Sequence, residues 1–153
     1  MTNPKKFIES VITSQSLLGL DFGDKTIGIA VSDKSFTIAT PIATIRRKGI
    51  IKDLAKLFEI IDEFNVGGIV FGLPLSLNGQ ENQRTEKVRY FIKELQLKSK
   101  VLVDLYDERF SSDVIYKALR KESVPSSKIK KKLDQQSAAY ILQGYLDNAK
   151  NII

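Results

Sequence analysis

A chain of 153 residues with 42% hydrophobic and 27% charged side chains is long enough for one domain with a core and too short for two typical ones. With no Cys and no His it excludes disulfides, thiolate nucleophiles, cysteine-bound zinc and imidazole bases, so any bound metal must be a hard cation held by oxygen. The formal charge of +6 is concentrated: residues 115–132 carry seven cations (Lys117, Arg120, Lys121, Lys128, Lys130, Lys131, Lys132) against Glu122, and the other 135 residues sum to zero.

In chain order, residues 1–15 read as a loose lead-in to a single domain over 16–150. Lys5 and Lys6 are followed by no long apolar run, because Glu9, Thr13 and Ser14 interrupt it, so the segment is a poor signal peptide. No stretch approaches the roughly 18 apolar residues of a membrane span, and the expected location is the cytoplasm. LLGLDFG (17–23) and TIGIAVSD (26–33) are two strands of a hairpin turning at Gly23-Asp24-Lys25. FTIATPIATI (36–45) carries Pro41 and reads as an edge or bulged strand.

From Ile50 to Phe64 the apolar residues Ile51, Leu54, Leu57, Phe58 and Ile61 fall at helical spacing. Gly67-Gly68 precede a short buried strand, IVFG, and residues 72–83 form a loop punctuated by Pro74 and Gly79. A helix is expected over about 84–97, a strand over 101–106 and a helix over 111–121 capped by Ser111 or Ser112. Val124 to Lys131 reads as a basic, Pro-containing loop before a last helix at 133–148. The order βββαβαβαα combines an antiparallel meander with strand–helix alternation that favours parallel pairing.

Three acids stand where elements start or stop. Asp21 closes an apolar run, where a carboxylate must be paired, protonated or metal-bound. Its plainer role is a turn Asp serving the Gly23 and Asp24 amides. Gly23 and Gly28 bracket the hairpin and allow a phosphate or metal close to the backbone. Asp107-Glu108-Arg109 ends the fifth strand; alternation sends residues 107 and 108 to opposite sides, so one of the two acids joins a shared site. Asp134 falls in the first turn of the last helix, where the dipole favours an ionised carboxylate. Acids converging from separate elements repel one another unless a cation lies between them, which points to a magnesium- or manganese-dependent phosphodiesterase. The basic run leading into Asp134 suits a polyanion, and nucleic acid is the expected partner.

Together GLDFGDKTIGIAVSD, VFGLPLSLNG, DERFSS and KKKLDQQSAAYILQGYLD resemble the YqgF family, also called the RuvX or Holliday-junction resolvase family, from about Leu18 to Leu146. The resemblance implies a ribonuclease H-like α/β fold, a five-stranded mixed sheet of order 3-2-1-4-5 flanked by helices. It puts the acidic triad on Asp21, Glu108 and Asp134, selecting Glu108 over Asp107, and implies two Mg²⁺ or Mn²⁺ ions bound by those three acids, with raised carboxyl pKa values before the metals bind. Nucleic-acid contacts would come from Lys25, Arg109, Lys128, Lys130, Lys131 and Lys132. The implied function is maturation of the 16S ribosomal RNA precursor at its 5′ end, with structured precursor RNA, or branched DNA, as substrate and ribosomal particles as further partners.

Two positions depart from the family pattern: Thr26 stands where a basic residue is usual, and Gln80-Glu81-Asn82 lacks a second glycine. Three alternatives differ in class. A Holliday junction resolvase uses the same chemistry on branched DNA but needs a dimer presenting two sites, and the sequence fits a monomer or a homodimer. A binding module without catalysis would lack the acids. The hairpin also resembles the phosphate hairpin of actin-like ATPases, which close two such domains over a nucleotide.

Overall fold

The computed structural model describes residues 3–11, 14–107 and 126–151, with the backbone alone for residues 126–135 and 151. The elements run α1 (Pro4–Ser10), β1 (Ser16–Phe22), β2 (Thr26–Ser32), β3 (Ala39–Arg46), α2 (Ile50–Glu63), β4 (Val66–Leu73), α3 (Gln83–Lys98), β5 (Leu102–Asp107) and α4 (Ser126–Asn151). Five strands form one sheet in the order β3-β2-β1-β4-β5. The first three are antiparallel neighbours, whereas β1–β4 and β4–β5 are parallel. This is the mixed sheet that the family resemblance implies.

Helices cover both faces. Leu54 and Leu57 of α2 and Val88, Phe91 and Leu95 of α3 pack on Leu18, Leu20, Ile27, Ile29 and Phe71. On the opposite face Ala138, Ile141, Leu142, Tyr145 and Leu146 of α4 pack on Leu17, Ala30 and Val70. Side-chain alternation along β1 explains the split: residues 18 and 20 feed one core, and residue 17 feeds the other.

The hairpin follows the expected turn, since the Gly23 amide donates to Thr26 O at 2.9 Å and the ladder resumes at once. Pro41 lies in edge strand β3, opposite a register shift between Ile29 and Ala30, where its missing N–H costs no central ladder bond. β3 begins at Ala39, later than the residues from 36 onward suggest. Asp33 Oδ1 accepts the Thr37 and Ile38 amides at 2.7 and 3.0 Å and Oδ2 accepts the Ser35 hydroxyl at 2.7 Å, which holds that stretch in a turn.

Four expectations need correction. Residues 4–10 of the lead-in form α1, and Phe7 sets its ring edge on Tyr145 at 6.0 Å between centroids. Gly67 and Gly68 lie inside β4, because a Cβ on Gly68 would meet Leu17 and Phe7 at 2.8 and 3.0 Å, and one on Gly67 would meet Gln15 and Val11. The last helix starts at Ser126, so Lys128, Lys130, Lys131 and Lys132 are helical. Nothing after Pro125 breaks a helix, and Lys is a good helix former. Asp134 therefore stands in the third turn of α4, beyond the reach of the terminal dipole. The helix expected over 111–121 lies outside the described residues.

Candidate active site

Asp21 is the next-to-last residue of β1 and is half-buried. Alternation puts it on the α4 side of the sheet with Leu17 and Gly19. At Gly19 the helix comes closest: a Cβ there would lie 2.6 Å from Leu142 Cβ and 2.8 Å from Ala138 O. The amide of Ala39, at the start of β3, donates to Gln143 Oε1 at 2.9 Å. The helix therefore runs antiparallel to β1. Asp21 lies two residues beyond Gly19, about 7 Å along the strand. Position 134 lies one turn before Ala138, about 6 Å along the helix on the same stripe. The two rises nearly match, so the backbone brings position 134 level with Asp21.

Glycines border Asp21 on both neighbouring strands. Gly28 is its cross-strand partner in β2. In β4, Gly72 follows Phe71, the residue that pairs with Leu20. One strand further out, Thr44 pairs with Gly28 and Tyr106 pairs with Gly72. The carboxylate thus stands in a row whose adjacent positions carry no side chains, a trough in the sheet that is itself covered, since Gly28 and Gly72 are both buried. Two hydroxyls on this face, Thr44 Oγ1 and Ser137 Oγ, are buried without a hydrogen-bond partner. An unsatisfied buried hydroxyl costs on the order of 1–3 kcal/mol, so the region holds polar capacity that packing does not use. Of the two amides in the turn role for Asp21, that of Gly23 is taken by Thr26 O.

The hairpin tip is clamped beside the trough. Arg47 lies over the Phe22 ring at 4.4 Å, donates to Gly23 O at 3.3 Å and pairs with the buried Asp53 carboxylate at 3.2 Å. Asp24 pairs with Lys87 of α3 at 3.1 Å, and that ammonium holds the Asp24 carboxyl below its ordinary pKa. The loop after β4 opens on the same end of the sheet. It is fixed by a turn at Gly79 (φ 84°), by Asn82 Nδ2 donating to Pro74 O and Ser76 Oγ at 3.0 Å each, and by the Asn82–Thr85 capping box that starts α3.

Of the residues singled out from sequence, Asp21 and Lys25 are fully described and stand at this end of the sheet. Asp134, Lys128, Lys130, Lys131 and Lys132 are placed by the α4 backbone. Glu108 and Arg109 lie outside the described residues. Strand alternation in the described residues bears on Asp107 alone. Asp104 accepts the Tyr145 hydroxyl and Tyr106 packs with the α4 cluster, while Val103 and Leu105 join the opposite core. Asp107 alternates with Val103 and Leu105, away from the Asp21 face. Among the described residues no three acids gather to hold a metal. The donor chemistry nonetheless fits a hard divalent cation: the chain offers carboxylates and no imidazole or thiolate, and orphaned hydroxyls lie on the same face. Sequence reasoning missed Thr44, whose relation to Asp21 exists only in the strand register.

A family model described as RuvX, Holliday junction resolvase, matches residues 15–148. A protein of Paramagnetospirillum magneticum named "Putative pre-16S rRNA nuclease" is 41% identical over 145 residues, covering 95% of this chain and 94% of its own. Proteins of the same name from Ruegeria pomeroyi and Thermoanaerobacter pseudethanolicus are 38% and 40% identical, covering 97% and 88% of this chain and 96% and 98% of their own. Among solved structures, Thermus thermophilus RuvC superposes with a TM-score of 0.54 at 11% identity, over 89% of this chain and 97% of that one. Its complex with a Holliday junction substrate gives 0.53 at 13% identity, over 87% and 94%. At such identities the likeness is one of fold. Near-full-length relatives and a family model spanning almost all of the sheet and its helices agree, and the chain belongs to the RuvX family.

Proposed function

We infer that this nuclease, a hydrolase of phosphodiester bonds, cuts its substrate at the C-terminal end of β1, with Asp21, Glu108 and Asp134 as its carboxylates. We take the substrate to be a structured precursor of 16S ribosomal RNA in the cytoplasm. The setting of Asp21 supports the catalytic part: an acid inside a strand, bordered by Gly28 and Gly72, on the face where α4 packs against Gly19 one turn past position 134. The RNA substrate rests on the names of relatives up to 41% identical.

The three carboxylates would hold Mg²⁺ or Mn²⁺, which when bound supply activation of the attacking water and stabilisation of the leaving 3′ oxygen. What the chain itself contributes is position. Gly28 and Gly72 put no Cβ beside the Asp21 carboxylate, the Arg47 clamp keeps the hairpin from drifting, and the cations of α4 bind the flanking backbone. Arg109, next to Glu108, would orient that carboxylate or contact phosphate.

The test is a cleavage panel of precursor RNA and four-way junction DNA, with magnesium or manganese, comparing wild type with Asp21→Asn. Metal-dependent cleavage of the RNA by wild type alone is expected. Undiminished cleavage by the variant would remove Asp21 from the role. The family's description favours a second reading, resolution of branched DNA. That reading requires paired cuts by a dimer, so symmetric cleavage of the junction together with a dimeric mass in solution would replace the ribosomal RNA assignment.

A further inference from the structure

Charge summed over long stretches hides a second basic region. Residues 46–52 carry Arg46, Arg47, Lys48 and Lys52 with no acid among them, and the fold adds Lys25, whose carbonyl accepts the Arg47 amide at 2.9 Å. The acids of this corner are already neutralised. Asp24 is paired with Lys87 at 3.1 Å, and the buried Asp53 takes Arg47 Nε at 3.2 Å and the Lys48 amide at 2.9 Å. Lys25, Arg46, Lys48 and Lys52 remain exposed, and none of their side chains has an ion pair or hydrogen bond among the described residues. Four uncompensated cations on one corner repel one another, and a polyanion relieves that repulsion.

The position of the corner is as informative as its charge. Arg46 follows Thr44 by two residues, so alternation returns it to the Asp21 face, and its cross-strand partner is Thr26 at the foot of the hairpin. Two strand spacings across the sheet and two residues along it separate the Arg46 and Asp21 backbones by about 12 Å. An extended Arg side chain shortens that to about two or three nucleotides of a strand at roughly 3.4 Å per step. The basic stretch of α4 precedes position 134 on the helix that covers this face, so the two cationic regions bracket the Asp21 end of the sheet from different elements.

Resting on the nuclease reading above, we propose that Lys25, Arg46, Lys48 and Lys52 form a second phosphate-binding surface. It holds the nucleic-acid strand a few nucleotides from the cleaved bond, on the side away from the α4 cations. The substrate it selects is one whose backbone continues past the cut on both sides.

The test measures binding of a short RNA hairpin with single-stranded flanks by fluorescence anisotropy over a salt series. All variants carry Asp21→Asn so that the probe stays intact. Arg46→Ala/Lys48→Ala is compared with Lys98→Ala/Lys100→Ala, a charge-matched pair at the opposite edge of the sheet. Both pairs are exposed, and equal melting temperatures verify the fold. The corner pair is expected to lower affinity about tenfold and to reduce the slope of log K against log salt by about two, one for each phosphate no longer neutralised, while the control pair changes neither. Equal behaviour of the two pairs would overturn the second surface and leave the nuclease assignment standing. Failure of the parent protein to bind the probe at any salt concentration would overturn both.

Discussion

Replacing Gly19 by Ala tests whether contact between β1 and α4 sets the geometry around Asp21. The added Cβ would stand 2.8 Å from Ala138 O and 2.6 Å from Leu142 Cβ. Ordinary contact needs about 3.4 Å or more, so a gap of roughly 0.6–0.8 Å has to open. The obstructing atoms are backbone and Cβ, which no rotamer change can move, so the helix itself must lift. Overpacking of this kind costs typically 1–3 kcal/mol, and relief of the glycine's strand penalty returns about 0.5–1. A net loss of about 1–2 kcal/mol lowers the melting temperature by roughly 2–8 °C in a chain of this size. Cleavage should fall further than the folded fraction does, because a shift approaching 1 Å at Ala138 reaches position 134 one turn away, and such misplacement costs up to about a hundredfold in rate. Gly144→Ala is the comparison. Its Cβ would meet the Tyr106 hydroxyl at 2.6 Å, the far end of a side chain that can swing aside without lifting α4 off β1. Thermal denaturation and cleavage of precursor RNA at a temperature where both variants are folded provide the readout. A Gly19→Ala protein as stable and as active as wild type would refute the idea that this contact fixes the site.

Asp21→Asn should abolish cleavage and leave nucleic-acid affinity within a few-fold, as electrophoretic mobility shift alongside the cleavage assay would show. Divalent metal added to the wild type should raise its melting temperature, by about 2.7 kcal/mol of stability at a hundredfold excess over Kd, with a much smaller rise in the Asp21→Asn variant. Tyr145→Phe removes the 2.5 Å donor to buried Asp104 and should cost about 1–3 kcal/mol in chemical denaturation, with Tyr145→Phe/Asp104→Asn losing less than the sum of the single changes. The Ser35 hydroxyl and the Ile38 and Thr37 amides hold the Asp33 carboxyl below its ordinary value of 3.8. The stability it contributes is therefore present above that value and lost as pH falls through the depressed one, and the gap between wild type and Asp33→Asn should close on acidification.

The parts of the fold legible in the sequence were those encoded by local chemistry. The hairpin is written in Gly23 and two flanking apolar runs, the edge position of β3 in Pro41, and helices α2 and α3 in their apolar spacing. The missed parts depended on partners distant in sequence. Gly67 and Gly68 look like a strand boundary until the approach of α1 shows why no side chain fits there. The stretch before Leu133 looks like a loop because its cations crowd out the apolar rhythm, yet it continues the same helix. The site follows the same pattern. Asp21 stood out as an acid in an apolar run, but its glycine neighbours on β2 and β4 are set by register, and the cations of residues 46–52 were lost in a stretch whose charges cancel overall.

The proposed role of Asp21, among so many acids, draws support from what surrounds each one. Asp53 takes two donors where the chain turns into α2, Asp33 shapes the turn before β3, Glu81 grips Arg89 through both oxygens, and Asp104 takes the Tyr145 hydroxyl. Each of these carboxylates ties together two parts of the scaffold, and removing it would loosen a turn, a helix start or a packed core. Asp21 differs in its setting, since the positions level with it on the strands to either side are glycines. A protein that needed only a stable sheet would gain about 0.5–1 kcal/mol at each of those positions from a larger residue. Two buried glycines where larger residues would serve the sheet better set Asp21 apart from the acids that hold the scaffold together.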